Sequence, residues 1–175
     1  HLGQAQQPRL LHQRHGHLHP ARCLARGLGV ARSEILAHAW CDNGPRWRAV
    51  MLRSADQVLA LAPDASVLAG LDLGVVGPRG KLGVLGRHAD AGKPFIEVRA
   101  FFSAGGALRE DPVTGSLNAA IGQWLIESGF APPSYVASQG TAIGRAGRIH
   151  LERDESGQVW VGGASVSLIR GSVRL

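Results

Sequence analysis

Glu110 and Asp111 stand just ahead of Gly115 and Ser116, and an apolar run begins directly after them. This pattern suits proton transfer on a small anion. Ser116 has the side chain of a helix N-cap, whose oxygen satisfies a free amide of the first turn. The other free amides and the positive end of the helix dipole make a seat for a carboxylate. Asp111 sits where it could exchange a proton with whatever is bound there. Asp111 and Ser116 are therefore the candidate catalytic residues, and Gly115 and Ser116 the candidate substrate-binding residues. The competing reading is an ordinary loop capping a core helix, and spacing alone does not separate the two.

Such a site needs a firmly held helix. Leu117, Ile121, Trp124 and Leu125 recur at helical spacing, and Ala119 and Ala120 widen the apolar face. The polar positions are mainly Asn118, Gln123, Glu127 and Ser128, so the pattern predicts a helix buried on most sides and ending at Gly129. Upstream, Phe95 to Ser103 reads as a strand with Ile96, Val98, Ala100 and Phe102 on one face, joined to the helix by a loop over 103–115. Downstream, Tyr135 to Ser138, Gly147 to Arg153, Val159 to Gly163 and Ser165 to Leu175 read as short strands, with a turn at Asp154-Glu155-Ser156-Gly157. Closer to the start, Pro20 opens a helix carrying Leu24 and Leu28 and stopped by Gly29. Ile35 to Cys41 and Trp47 to Leu52 pair around Asp42-Asn43-Gly44-Pro45. Ser54-Ala55-Asp56-Gln57 has the form of a capping box for a short helix through Leu61. Pro63-Asp64 begins another through Leu71, and Leu73 to Val76 is a buried strand. Residues 78–83 form a glycine-rich turn without the spacing or the Lys-Ser/Thr pair of a phosphate loop, and 86–93 read as loop.

The run Glu110-Asp111-Pro112-Val113-Thr114-Gly115-Ser116-Leu117-Asn118-Ala119-Ala120 resembles the signature of the PhzF-like phenazine-biosynthesis family. Ile96-Glu97-Val98-Arg99-Ala100-Phe101, Ser138-Gln139-Gly140, Gly144-Arg145-Ala146-Gly147 and Val159-Trp160-Val161-Gly162-Gly163 are similar to other stretches of it. The resemblance runs from about Ala25 to Leu175. It implies an α+β, diaminopimelate-epimerase-like lobe: a curved mixed or antiparallel sheet wrapped around one central buried helix. It further implies a cofactor-independent isomerase that moves a proton on a small carboxylated, dihydro-hydroxyanthranilate-like or amino-acid-like metabolite. In the family this would be the C-terminal lobe of a two-lobed enzyme, and the glutamate base and Gly-His-Pro motif of the first lobe have no counterpart here. The expected domain organisation is thus a poorly ordered tail over 1–19 and a lobe over 20–175. The alternative is a truncated, non-catalytic binding or assembly lobe of the same fold. A homodimer is the assembly the family suggests.

Two further readings carry less weight. Ser33-Glu34 is similar to the family's Ser-Glu pair, but it leads into a strand of this lobe, so Glu34 reads as a strand-end carboxylate. A two-cysteine racemase needs a thiol at a helix N-terminus, where this chain has Ser116; Cys23 and Cys41 fall inside a helix and a strand.

Composition narrows the partners. The 175 residues carry a formal charge of +6. Residues 1–33 hold five arginines and no acid, leaving 14 basic and 13 acidic residues in the rest. The excess is therefore a tail property, and no clustered basic face with stacking aromatics argues for nucleic acid. His1, His12, His15, His17 and His19 lack a thiolate or carboxylate to complete a metal shell, so no metal is expected. No apolar run is long enough to span a membrane, residues 1–20 contain no signal-like apolar stretch, and two cysteines fit a reduced cytoplasm.

Overall fold

The computed structural model describes residues 2–4, 20–80 and 93–174. Its centre is helix α4, Gly115–Glu127. Ten consecutive residues, Leu117 to Ile126, are buried, so the helix is enclosed rather than laid on a surface. Leu117 and Ile121 are fully buried and Leu125 nearly so, each contributing about 1.5–3 kcal/mol of apolar transfer. Gly122 lets the sheet come close: a Cβ there would stand 2.2 Å from Leu151 Cδ2.

The other elements run β1 (Leu2–Gln4), α1 (Pro20–Leu28), β2 (Ala37–Asp42), β3 (Arg46–Met51), α2 (Ala55–Leu59), α3 (Ala65–Leu68), β4 (Leu73–Pro78), β5 (Pro94–Ala104) and β6 (Ala107–Asp111) before α4. After it come β7 (Ser134–Gln139), β8 (Gly147–Arg153) and β9 (Val159–Gly162). All strands join one sheet in the order β1-β9-β8-β7-β5-β4-β3-β2, with β6 also on β5. The pairs β3–β4 and β5–β7 are parallel and the rest antiparallel. Helix α4 touches β2 near one end of this order and β8 and β9 near the other, so the sheet curls around it. The lobe is α+β, as the sequence implies.

Two cores result. Ile96, Val98 and Ala100 of β5 face α4, with Trp47, Met51, Ala137 and Ile149. On the outer face, α1, α2 and α3 cover Val50, Leu73, Val75 and Phe101. The strand β5 is shared in an unusual way. Its first half pairs with β7 (Ile96 with Ala137, Val98 with Gln139), and its second half pairs on the same side with β6 (Ala100 with Asp111). The ends of β6 and β7 therefore meet beside the start of α4.

Several boundaries differ from the sequence reading. The loop expected over 103–115 contains β6, because Gly105 and Gly106 both take positive φ (60° and 78°) and turn the chain straight back along β5. The strand expected over Ser165–Leu175 is not formed: the described residues 163–174 have no regular structure. A one-turn 3-10 helix, Arg32–Glu34, precedes the first hairpin strand, which begins at Ala37 rather than at the expected Ile35. Gln57 reaches back to the Arg53 amide (3.0 Å) rather than to that of Ser54, while Ser54 Oγ accepts from the Gln57 amide (3.2 Å). Of the expected tail, Leu2–Gln4 pair with β9. His1, residues 5–19, residues 81–92 and Leu175 lie outside the described residues, and with them most of the expected tail, the second half of the expected 78–83 turn and most of the expected 86–93 loop.

Candidate active site at the start of the central helix

The first intrahelical bond of α4 runs from the Asn118 amide to the Thr114 carbonyl (3.0 Å). The amides of Gly115, Ser116 and Leu117 thus precede the hydrogen-bonded ladder, which leaves them as donors. Thr114, not Ser116, is the N-cap residue, which corrects the sequence assignment. The Thr114 hydroxyl does not turn inward to cap; it donates to Asp111 Oδ2 (2.7 Å). Ser116 lies inside the first turn. Its Oγ accepts from Trp47 Nε1 (3.2 Å), and its carbonyl accepts from Asn43 Nδ2 (2.8 Å). The β2–β3 hairpin therefore clamps the first turn of α4 from one side.

Gln139, fully buried at the end of β7, fixes the other side. Its Nε2 donates to the Asp111 carbonyl (2.8 Å) and to Thr114 Oγ1 (2.9 Å). Its Oε1 accepts from the Thr114 amide (3.2 Å) and from Asn118 Nδ2 (2.7 Å). Asn118 Nδ2 also donates to the Thr114 carbonyl (2.9 Å). Because Thr114 Oγ1 accepts from Gln139, its single proton is directed to Asp111. One carboxylate oxygen is thereby held, and the described residues leave Oδ1 unbound. Asp111 and Ser116 are half-buried and Gly115 is exposed. The three residues singled out from sequence thus share one end of one helix, arranged as a carboxylate beside three amides without a partner among the described residues.

The intervening Pro112-Val113 loop crosses directly over two glycines. Gly140 has φ of 85°, and a Cβ there would lie 2.7 Å from the Pro112 carbonyl oxygen. At Gly147 a Cβ would lie 2.5 Å from Val113 Cγ2. These close approaches explain why glycine stands at both positions in the stretches after Ser138.

Glu110, adjacent in sequence to Asp111, has a different fate. Arg99 grips it through two bonds, Nε to Oε1 (3.0 Å) and Nη2 to Oε2 (2.7 Å). Arg99 Nη1 is spent on the carbonyls of Val58 (3.2 Å) and Leu61 (2.8 Å). Glu110 is thus a structural anion. Glu97 is also held inside the fold: fully buried, its Oε2 accepts from Arg79 and from the Ser138 hydroxyl, while Oε1 has no partner among the described residues. Ser138 and Gln139 therefore serve opposite faces of the sheet.

The remaining candidates fall away from the site. Glu34 accepts from the Ala31 amide (2.7 Å) and from Gln57 Nε2 (2.9 Å). Cys41 is buried in β2, and burial pushes its thiol up to about 12, which disables it as an acid or base near neutrality. Cys23 is in α1. No group of metal-ligating side chains occurs among the described residues. Gln139, Asn118 and Thr114 were not assigned roles from sequence. The available signal was two polar residues, Ser138 and Gln139, closing an otherwise apolar strand, which demands partners for buried polar groups.

Residues 4–171 match the family model described as phenazine biosynthesis-like protein. An uncharacterized isomerase of Pasteurella multocida is 29% identical over 146 residues, covering 81% of this chain and 46% of that protein. The chain thus spans about half the length of the curated relatives it matches. Among solved structures, a phenazine biosynthesis protein of the PhzF family from Bacillus anthracis superposes with a TM-score of 0.64 at 19% identity, covering 90% of this chain and 54% of that one. A predicted epimerase from Pseudomonas aeruginosa gives 0.57 at 22% identity, covering 82% and 48%. These two likenesses are of fold.

Proposed function

We propose, for a chain that belongs to the phenazine biosynthesis-like family, that the start of α4 is one wall of a cofactor-independent isomerase site. The carrying observation is the frame that holds Asp111 beside the Gly115, Ser116 and Leu117 amides, with one carboxylate oxygen bound and the other unclaimed by the described residues. The amides would hold a substrate carboxylate, and Asp111 would accept or return a proton at a neighbouring carbon. The relative named an isomerase and the structure named a predicted epimerase support a proton shift. The substrate class proposed is a small carboxylated metabolite, cyclic or amino-acid-like, and the working form a homodimer in the cytoplasm.

A second reading rests on length. The relatives are about twice as long, and a single open wall neither excludes water nor fixes a bound geometry. On this reading the 175-residue chain binds a carboxylate weakly and turns nothing over by itself. The experiment is solvent-deuterium incorporation into carboxylated cyclic substrates, with this chain alone and with it fused to the preceding half of a full-length relative. The isomerase reading expects exchange in the fused protein and its loss in Asp111→Asn. Full exchange by the fused Asp111→Asn protein would remove Asp111 from the chemistry.

A further inference from the structure

On the outer face of the sheet, the face turned away from α4, lies a cavity of about 230 Å³ lined by Trp40, Arg46, Arg48, Gly70, Leu71 and Asp72. The alternation of β3 places it there: Trp47, Ala49 and Met51 face α4, so Arg46, Arg48 and Val50 face the other way. Trp40 of β2 is the direct partner of Arg48 in the ladder. The Arg48 guanidinium stands 4.0 Å from the Trp40 ring centre, and that of Arg46 stands 5.3 Å away.

Arg46 has an anion, Asp42 Oδ2, at 3.2 Å. Arg48 has none among the described residues, and its Nε is buried without a hydrogen-bond partner. Arg99 shows how this chain completes a buried guanidinium, with a bidentate carboxylate and two carbonyls. Arg48 is half-buried, and its Nε is the buried donor left without a partner among the described residues. Burial lowers its pKa, Cys23 acts in the opposite sense, and Arg46 pushes further down; the side chain nevertheless stays charged. His38, on the same face as Trp40, is depressed by burial and then by Arg32 and Arg48, which marks the neighbourhood as electropositive.

We propose that this cavity is an oxyanion site, in which Arg48, held against the Trp40 ring, grips a carboxylate or phosphate group. The recess has room for a phosphate ion or a small carboxylate, each no larger than a few waters at ~30 Å³ per water. A planar fork with open donors matches either oxyanion. Asp72, exposed and also lining the cavity, disfavours ligands of higher negative charge most strongly.

The test is a titration of the 15N-labelled chain followed by NMR at the Arg48 Nε–H and Trp40 Nε1–H signals. Sodium phosphate and sodium acetate are added separately at constant ionic strength, which removes general screening. A saturable shift at both signals is expected, with Kd on the order of 1 mM, and the tighter anion identifies the ligand group. Arg48→Gln should weaken saturation at Trp40 by about tenfold or more, while Arg22→Gln on exposed α1 should leave it unchanged. If Arg48→Gln fails to give native circular dichroism, Arg48→Lys keeps the charge without the fork and should weaken binding in the same direction. Shifts that rise linearly without saturating, or that survive in the Arg48 variants, would show the Arg48–Trp40 stack to be complete in itself and overturn the proposal.

Discussion

Glu110 and Asp111 are neighbours in sequence and opposites in use. Glu110 is enclosed on the outer face by Arg99, with both oxygens occupied and the guanidinium's other donors consumed. Asp111 stands by the start of α4, held at one oxygen by a neutral chain of hydroxyl and amide groups. The first arrangement satisfies everything it contains and can only support the fold. The second is fully satisfied on the protein side at Gln139 and open at Asp111 and the helix amides. Alternation along a single strand separates the two acids, so adjacent residues end in different settings, one closed by an arginine and the other in the proposed site.

The comparison is broken most severely at Arg99. Arg99→Met should destabilise by about 3–5 kcal/mol, because it leaves Glu110 buried and uncompensated; urea unfolding measures it, and a loss below ~1 kcal/mol would show that Glu110 finds water instead. Gln139→Leu attacks the neutral frame. It strips partners from Asn118, Thr114 and the Asp111 carbonyl and should cost about 1–3 kcal/mol, with the amide-exchange protection of Thr114 falling most. Gly122→Ala tests the helix on which both arrangements depend: the added methyl meets Leu151, and overpacking of about 1–3 kcal/mol is expected in thermal or urea melts. Ser116→Ala is the mildest. No N-cap is lost, only the Trp47 acceptor, so the change should stay near 0.5–1.5 kcal/mol; a larger loss would mean that the hairpin clamp holds α4 in place.

The central helix and the β5 and β8 strands were legible in sequence because each repeats one pattern over many residues, as Ile96, Val98 and Ala100 do on β5 and Leu117 and Ile121 do on α4. Gly147–Arg153 matches its expected bounds for the same reason. Strand β6 was hidden because Gly105-Gly106 is as common in loops as in hairpins, and its alternation is polar: only Leu108 is large and apolar. The cap was misplaced because Thr114 and Ser116 are both competent residues, and the backbone decides for Thr114, which is extended and whose carbonyl accepts the first helical bond. Asp111, Gly115 and Ser116 could be grouped at one helix end from local order alone. Gln139 could not, since its partners lie 21 to 28 positions away and only the shared side of β5 brings them near.

That shared side also sets the order in which the site can assemble. The hairpins β5–β6 and β7–β8 each close over short sequence distances and can form independently. Gln139 finds Asp111, Thr114 and Asn118 only after both hairpins stand on the same length of β5, and after the Pro112-Val113 loop has settled over Gly140 and Gly147. The pocket-forming contacts are therefore a late event in folding, expected to show φ-values near zero for Gln139 and higher ones for β5 and α4. The frame is a lock that closes when the sheet is already in register, so a misregistered β6 or β7 yields a collapsed lobe without the proposed carboxylate seat.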